Sequence, residues 1–235
     1  MKKLSIIIPA YNEGKTIHQI LDKIKKVDFG KDIGTEIIIV DDCSKDNTKE
    51  ALETYKKNNP EVDIQIYTHT VNQGKGSAIR TAITHVTGHI TIIQDADLEY
   101  DPEDIKLMLD YYFEHNLNVL YGSRFLNKQN KHSYSTFFIG GQIVTWISNI
   151  LFLQKLTDEP TCYKMVDSEL LKSIPLKCTG FEFCPELTAK IAKKGVKIKE
   201  IPIRYYPRSI EEGKKIKWYD GLEAIWVLLK YRFTN

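Results

Sequence analysis

The sequence predicts an α/β fold with a mostly parallel central sheet and helices on both faces. Short, predominantly apolar runs stand at residues 4–8, 37–40 and 89–94, the length expected of strands buried on both sides. Between them apolar residues return at helical spacing, as in Ile17, Ile20, Leu21, Ile24 and Val27, and again in Ile79, Ala82, Ile83 and Val86. The two patterns alternate along the first half, which is the signature of strand–helix units around a parallel sheet.

Taken in order, residues 4–8 form a first strand that ends at Pro9. A helix follows, then a second strand at 37–40, the turn DDCSKDNT and a helix over about 48–57. Residues 63–68 alternate and read as a third strand. The next helix leads to the fourth strand at 89–94. Pro102 suits a helix start with Asp101 as its cap, and Glu103 and Asp104 face the positive end of the helix dipole. Ile105, Met108, Leu109 and Tyr112 give that helix its apolar stripe, and 119–121 is a fifth strand. The second half is less regular. It holds an apolar stretch at 137–153, a helix near 185–193, a strand near 197–203, a basic segment and a last helix over 218–232. No repeat or linker divides the chain, so one domain, 1–235, is expected.

Composition is that of a globular protein, with 42% hydrophobic and 27% charged residues. A net charge of +2 gives no support to a nucleic-acid partner. Cys43, Cys162, Cys178 and Cys184 lack C-x-x-C spacing and read as reduced, mostly buried thiols, which fits a cytoplasmic location. Neither a signal peptide nor an apolar run of about 20 residues is visible.

The segment TIIQDADLEYDPED carries six carboxylates within ten residues. Asp101, Glu103 and Asp104 are explained by the helix start. Asp95, Asp97 and Glu99 are left over, two residues apart, and would share a face if the chain stays extended. No lysine or arginine lies among them. Hard oxygen ligands of this kind select Mg²⁺ or Mn²⁺. The bland alternative is a solvated acidic loop.

Ligands of open α/β sheets bind beyond the carboxyl ends of the strands. All four such ends here are polar and specialised: PAYNEG, DDCS, HTVNQGKGSA and QDADLE. Tyr11 can stack on a planar base, and Asp42 can accept from a base N–H. Gly74 and Gly76 make a tight loop at a helix start, where backbone N–H groups can meet phosphate. Turn formation is the competing explanation for Asp41 and Asp42.

The motifs SIIIPAYNE, IIIVDDCSKDNT, NQGKGSAIRTA, IIQDADLEYDPEDI and YGSRF, with LTDEPTCYKMV, GFEFCPELTAKIAKKG, IKEIPIRYYPRS and GKKIKWYDG further on, cover nearly the whole chain. In order and spacing it resembles glycosyltransferase family 2, and within it the dolichyl-phosphate mannose synthase-like branch with its bacterial polyprenyl-phosphate sugar transferases. The resemblance implies a GT-A fold, a UDP- or GDP-linked sugar donor, and inverting transfer dependent on Mg²⁺ or Mn²⁺. It implies a nucleotide-sugar and metal-binding half, 1–125, and an acceptor-binding half, 126–235. Pro9, Tyr11, Glu13, Asp42, Gly74, Lys75, Asp95 and Ala96 would bind the nucleotide sugar. Asp95 and Asp97 would form the D-x-D motif, with Asp97 and Glu99 on the metal. Arg124 would contact a donor or acceptor phosphate. Lys164 stands where many relatives have arginine, and with Arg208 and Lys214 would take the acceptor phosphate.

The acceptor implied is a polyprenyl phosphate, reached peripherally at the cytoplasmic membrane face, or else a saccharide hydroxyl. Asp158 is placed either to act as a base on the acceptor or to cap a loop. A phosphate acceptor, already ionised at neutral pH, needs no base. The aromatic-rich stretches at 137–153 and 218–233 are either core helices or interfacial helices that reach a lipid. Two rival classes are a sugar nucleotidyltransferase, which would carry a glycine- and arginine-rich loop in place of PAYNEG, and a silent nucleotide-sugar binding module.

Overall fold

A computed structural model describes residues 2–131, 135–208, 215 and 217–234. Its sheet has seven strands: β1 (Lys2–Ala10), β2 (Ile33–Asp41), β3 (Ile64–Thr68), β4 (Ile90–Ile93), β5 (Val119–Ser123), β6 (Lys164–Asp167) and β7 (Lys199–Pro202). They lie in the order β3-β2-β1-β4-β6-β5-β7. All pairs are parallel except those of β6, which runs antiparallel to both β4 and β5.

The helices are α1 (Ile17–Lys26), α2 (Thr48–Asn58), α3 (Lys75–Ile83), α4 (Glu103–Glu114), α5 (Ser135–Phe152), α6 (Ser168–Lys172), α7 (Phe183–Lys193) and α8 (Trp218–Phe233). The apolar runs register on one another, Ile6 beside Ile37 on one flank and Ile92 on the other, and all are buried. Consecutive side chains of β1 point to opposite faces, so burial of Ile6, Ile7 and Ile8 together requires cover on both.

Ser5 and Glu36 interrupt this core together. The fully buried Glu36 carboxylate accepts from the Ser5 hydroxyl at 2.5 Å, from the Thr87 N–H and hydroxyl at 2.7 and 2.6 Å, and from the Gly88 N–H at 3.1 Å. Lys3 closes the pair at 2.7 Å. The group ties β1 and β2 to the loop that feeds β4.

Two elements escape sequence reading. β6 and α6 have four and five residues, too few for a period to show. Asp167 ends the one and caps the other, accepting from the Leu170 N–H at 2.9 Å. At α4 the helix begins one residue later than expected. Pro102 flanks it, and Asp101 accepts from the Glu103 N–H at 3.2 Å. Asp104 is buried and binds the backbone and side chain of Arg204 at 2.6 and 2.9 Å, a partner from outside the helix. Pro202 sits in β7 at the sheet edge, where its missing N–H is tolerated.

The two aromatic-rich helices pack into a core on one side and keep large apolar side chains exposed. On one face Val144 and Phe152 of α5 pack with Ala224, Val227, Leu228 and Tyr231 of α8 over α7. Elsewhere on the same helices Trp146, Trp218 and Trp226 are 65%, 76% and 67% exposed, and Ile139, Ile150, Leu153 and Leu222 are exposed too. Among the described residues no helix is long and apolar enough to cross a membrane.

Candidate active site

Strand order reverses between β1 and β4, and a cleft of about 750 Å³ opens beyond their carboxyl ends. Its walls combine the predicted residues Pro9, Tyr11, Glu13, Asp42, Gly74, Lys75, Asp95, Ala96, Asp97, Glu99, Arg124 and Arg208 with Gly141 and Val144 of α5 and Trp218, Gly221 and Ala224 of α8. Residues far apart in the chain thus meet in one cavity, polar at the sheet and apolar at the helices.

At the β2 end, Asp42 organises the glycine loop. Its Oδ1 accepts from the Gln73 N–H at 2.8 Å and from His69 Nδ1 at 2.7 Å, and Oδ2 accepts from the Gly74 N–H at 2.7 Å. Gly74 has φ +94°, and a Cβ there would collide with the Thr179 carbonyl oxygen. At Gly76 a Cβ would strike the backbone of Cys178 and Gly180, and the Ser77 N–H donates to Thr179 O. The glycine pair therefore admits the 178–180 loop, and part of its N–H set is already engaged. That revises the expectation of a bare phosphate cradle.

The acidic segment does not stay extended. β4 ends at Ile93 and the chain turns, with Leu98 at φ +64°. Its counter-charges come from distant sequence. Lys75 Nζ lies 2.6 Å from Asp95. Burial disfavours both charges, but the pairing outweighs it, holding the Asp95 carboxyl below its usual range and raising Lys75. Arg208 takes the other two: its guanidinium is 2.6 Å from Asp97 Oδ2 and 3.9 Å from Glu99 Oε1, and its backbone N–H donates to Glu99 Oε1 at 2.8 Å. Tyr205 donates to Glu99 Oε2 at 3.0 Å. Lys215 binds Glu13 at 2.6 Å and the Tyr11 carbonyl at 2.5 Å. Tyr205 was not singled out from sequence, and Lys215 was read only as one of a basic run with Arg204, Arg208, Lys214 and Lys217, because nothing local marks a residue whose partner lies 106 or 202 positions away.

Asp97 is pushed up to about 7, first by burial, then by the charges of Asp95 and Glu99, against the pull of Arg208. The site is short of positive charge even with that arginine in place. Among the described residues no group of three or more metal-ligating side chains stands assembled. The donor set at hand, two carboxylates with oxygen atoms only, suits Mg²⁺ or Mn²⁺.

Arg124 and Asp158 form one unit. Arg124 donates through Nε and Nη2 to the two carboxylate oxygens at 2.7 Å each, and its backbone N–H donates at 2.9 Å. Asp158 is fully buried. Both its oxygens are engaged by Arg124, which is a poor posture for the general base that was one of its two expected roles. Lys164 needs a correction too. It is 1% exposed, donates to the Glu159 carbonyl at 2.6 Å and lies over the Tyr121 ring, so it sits in the core and not against the acceptor. Beside it Glu159, which lines the cleft, was not foreseen; burial pushes its carboxyl up. Lys214, the remaining acceptor-phosphate residue expected from sequence, lies outside the described residues.

Comparison with known proteins accords with this geometry. The family model described as glycosyl transferase family 2 matches residues 5–173. A dolichyl-phosphate beta-glucosyltransferase of Trichomonas vaginalis is 30% identical over 230 residues, covering 91% of this chain and 68% of its own. A dolichol-phosphate mannosyltransferase of Pyrococcus furiosus is 25% identical over 236 residues, covering 97% of this chain and 64% of its own. The chain thus spans about two thirds of the length of these relatives. Among solved structures, glucosyl-3-phosphoglycerate synthase from Mycobacterium tuberculosis superposes with a TM-score of 0.75 at 16% identity, over 100% of this chain and 81% of that one. The same enzyme is also known with Mn²⁺ and uridine diphosphate. At that identity the likeness speaks for the fold, which is GT-A.

Proposed function

Because the chain belongs to glycosyl transferase family 2, we propose that it moves a sugar, with inversion, from a nucleoside-diphosphate donor to a polyprenyl phosphate. One observation carries the reading: a single cleft joins carboxylates at the sheet's switch point to an apolar wall made by α5 and α8. A charged donor fits the first and a lipid phosphate the second. The relatives named for dolichyl phosphate support the same acceptor class.

In this reading Pro9, Tyr11 and Asp42 receive the nucleoside, and Lys75 fixes Asp95 beside the sugar–diphosphate. Asp97 and Glu99 would hold Mg²⁺ or Mn²⁺, and the ion would supply positive charge beside the diphosphate. Arg124, held by Asp158, and Arg208 present guanidinium groups to phosphate oxygens. An acceptor phosphate oxygen attacks the anomeric carbon opposite the leaving group, and the bonding pair of the broken C–O bond leaves with the nucleoside diphosphate. The attacking oxygen is already ionised near neutral pH, so no base is required. That suits an Asp158 whose oxygens are both engaged, and it disfavours transfer to a saccharide hydroxyl.

The exposed Trp146, Trp218 and Trp226, with Lys230 and Arg232 in the last turn of α8, are side chains suited to a membrane surface where the lipid acceptor is found. The test is Asp97→Ala. Transfer to polyprenyl phosphate should fall below detection while the circular dichroism spectrum stays that of the parent. Activity within a few-fold of the parent at saturating Mn²⁺ would remove Asp97 from the site.

A further inference from the structure

Arg208 is expected from sequence to meet an acceptor phosphate, yet its guanidinium lies on the carboxylates assigned to the metal. It is 2.6 Å from Asp97 Oδ2, 3.7 Å from Glu13 Oε1 and 3.9 Å from Glu99 Oε1. Its pairing is incomplete. Among the described residues, Nη2 alone makes a hydrogen bond to a carboxylate, and the buried Nε has no hydrogen-bond acceptor. A partly buried guanidinium with an orphaned Nε donor is poorly satisfied, which distinguishes it from the bidentate Arg124.

From this geometry we infer that Arg208 is a resident counter-cation, which must leave Asp97 and Glu99 before they take a divalent ion and which, once displaced, turns its charge to the acceptor phosphate. The inference rests on the proposed function for the identity of the acceptor, but its first half does not need it. A guanidinium and a dication cannot share the same carboxylate oxygens, since each repels the other at contact distance. Carboxylates left bare between donor cycles would repel one another, so the arginine keeps the empty site intact. Its backbone N–H bond to Glu99 Oε1, at 2.8 Å, anchors the residue while the side chain moves. The exchange couples two binding events: metal weakens the hold of the carboxylates on Arg208, and a phosphate that draws Arg208 away strengthens metal binding. Linkage requires the effect to be reciprocal.

Calorimetric titration of the protein with Mn²⁺ alone tests the first half, in the parent, Arg208→Gln and Arg208→Lys. Removing the competitor should tighten Mn²⁺ binding, on the order of tenfold for a coupling of ordinary size. Arg208→Gln should also lose thermal stability without metal and regain it on adding Mn²⁺. Arg208→Lys retains a cation and should fall between, which keeps the test valid if the glutamine variant folds poorly. Mn²⁺ affinity equal to or weaker than the parent in both variants overturns the inference.

The second half is read by binding of a short-chain prenyl phosphate to the parent, with and without Mn²⁺. Mn²⁺ should tighten it severalfold in the parent and not in Arg208→Gln. Equal enhancement in both overturns the hand-over to phosphate. If no prenyl phosphate binds to the parent under any condition, the acceptor reading fails with that half, while tighter Mn²⁺ binding in the variants would still uphold the counter-cation.

Discussion

Replacing Asp158 with asparagine removes one charge from an ion pair and leaves the other in place. Arg124 then keeps its positive charge, because a guanidinium does not lose its proton in proteins. Two charge-assisted bonds at 2.7 Å are weakened or lost on the fully buried side of the pair, Asp158, while Arg124 lines the cleft. Breaking a buried pair by removing one partner costs about 3–5 kcal/mol. The asparagine carbonyl can still accept from the Arg124 backbone N–H, so we expect the lower end, about 3 kcal/mol. For a chain of this size that is roughly 6–12 °C in Tm. The assays are urea unfolding, and turnover as a function of pH. Stability should fall by that amount. Turnover should fall as Arg124 loses its orientation, and the pH profile should keep its shape, because the acceptor phosphate supplies its own charge. The reasoning would be refuted by a variant as stable as the parent within about 0.5 kcal/mol whose turnover drops more than about a thousandfold with loss of one limb of the profile. That is what removal of a general base looks like.

Glu36 makes stability depend on acid. Burial pushes it up, but Lys3, Ser5 and Thr87 outweigh this and hold it at about 2, against 4.5 for the free group. A depressed carboxyl stabilises the fold fully above pH 4.5 and loses that contribution as pH falls toward 2, about 2 kcal/mol once the partly exposed Lys3 is discounted. Urea midpoints from pH 6 to 3 should show the loss in the parent and a flatter dependence in Glu36→Gln; parallel curves would rule it out. Gly74→Ala forces a Cβ into left-handed backbone and against Thr179, and should cost at least about 2 kcal/mol and weaken nucleotide binding. Binding and stability equal to the parent would show that the 178–180 loop yields freely.

The strand and helix alternation of the first half was legible because each element is long enough to show its period. β6 was not, and with it went the antiparallel pairings that bring residues 158–163 to the cleft. The acidic segment was rightly read as needing a cation, but only its own neighbourhood was searched for one. Lys75 and Arg208 answer from 20 and 111 residues away, a relation that sequence spacing does not encode. Lys164 misled for another reason: it was given a phosphate because it stands where many relatives have arginine, and the fold places it over Tyr121. For Gly74 and Gly76 the need for glycine was visible, but the second chain segment that imposes it was not.

Metal-dependent transfer of a sugar to a lipid phosphate is met most directly by incubating the protein with UDP- and GDP-linked sugars, Mn²⁺ and a polyprenyl phosphate, then weighing the lipid by mass spectrometry. A lipid phosphate heavier by one glycosyl residue is expected with at least one donor, and none when EDTA is added. Such transfer would be contradicted by unchanged lipid with every donor while a soluble saccharide is extended at full rate.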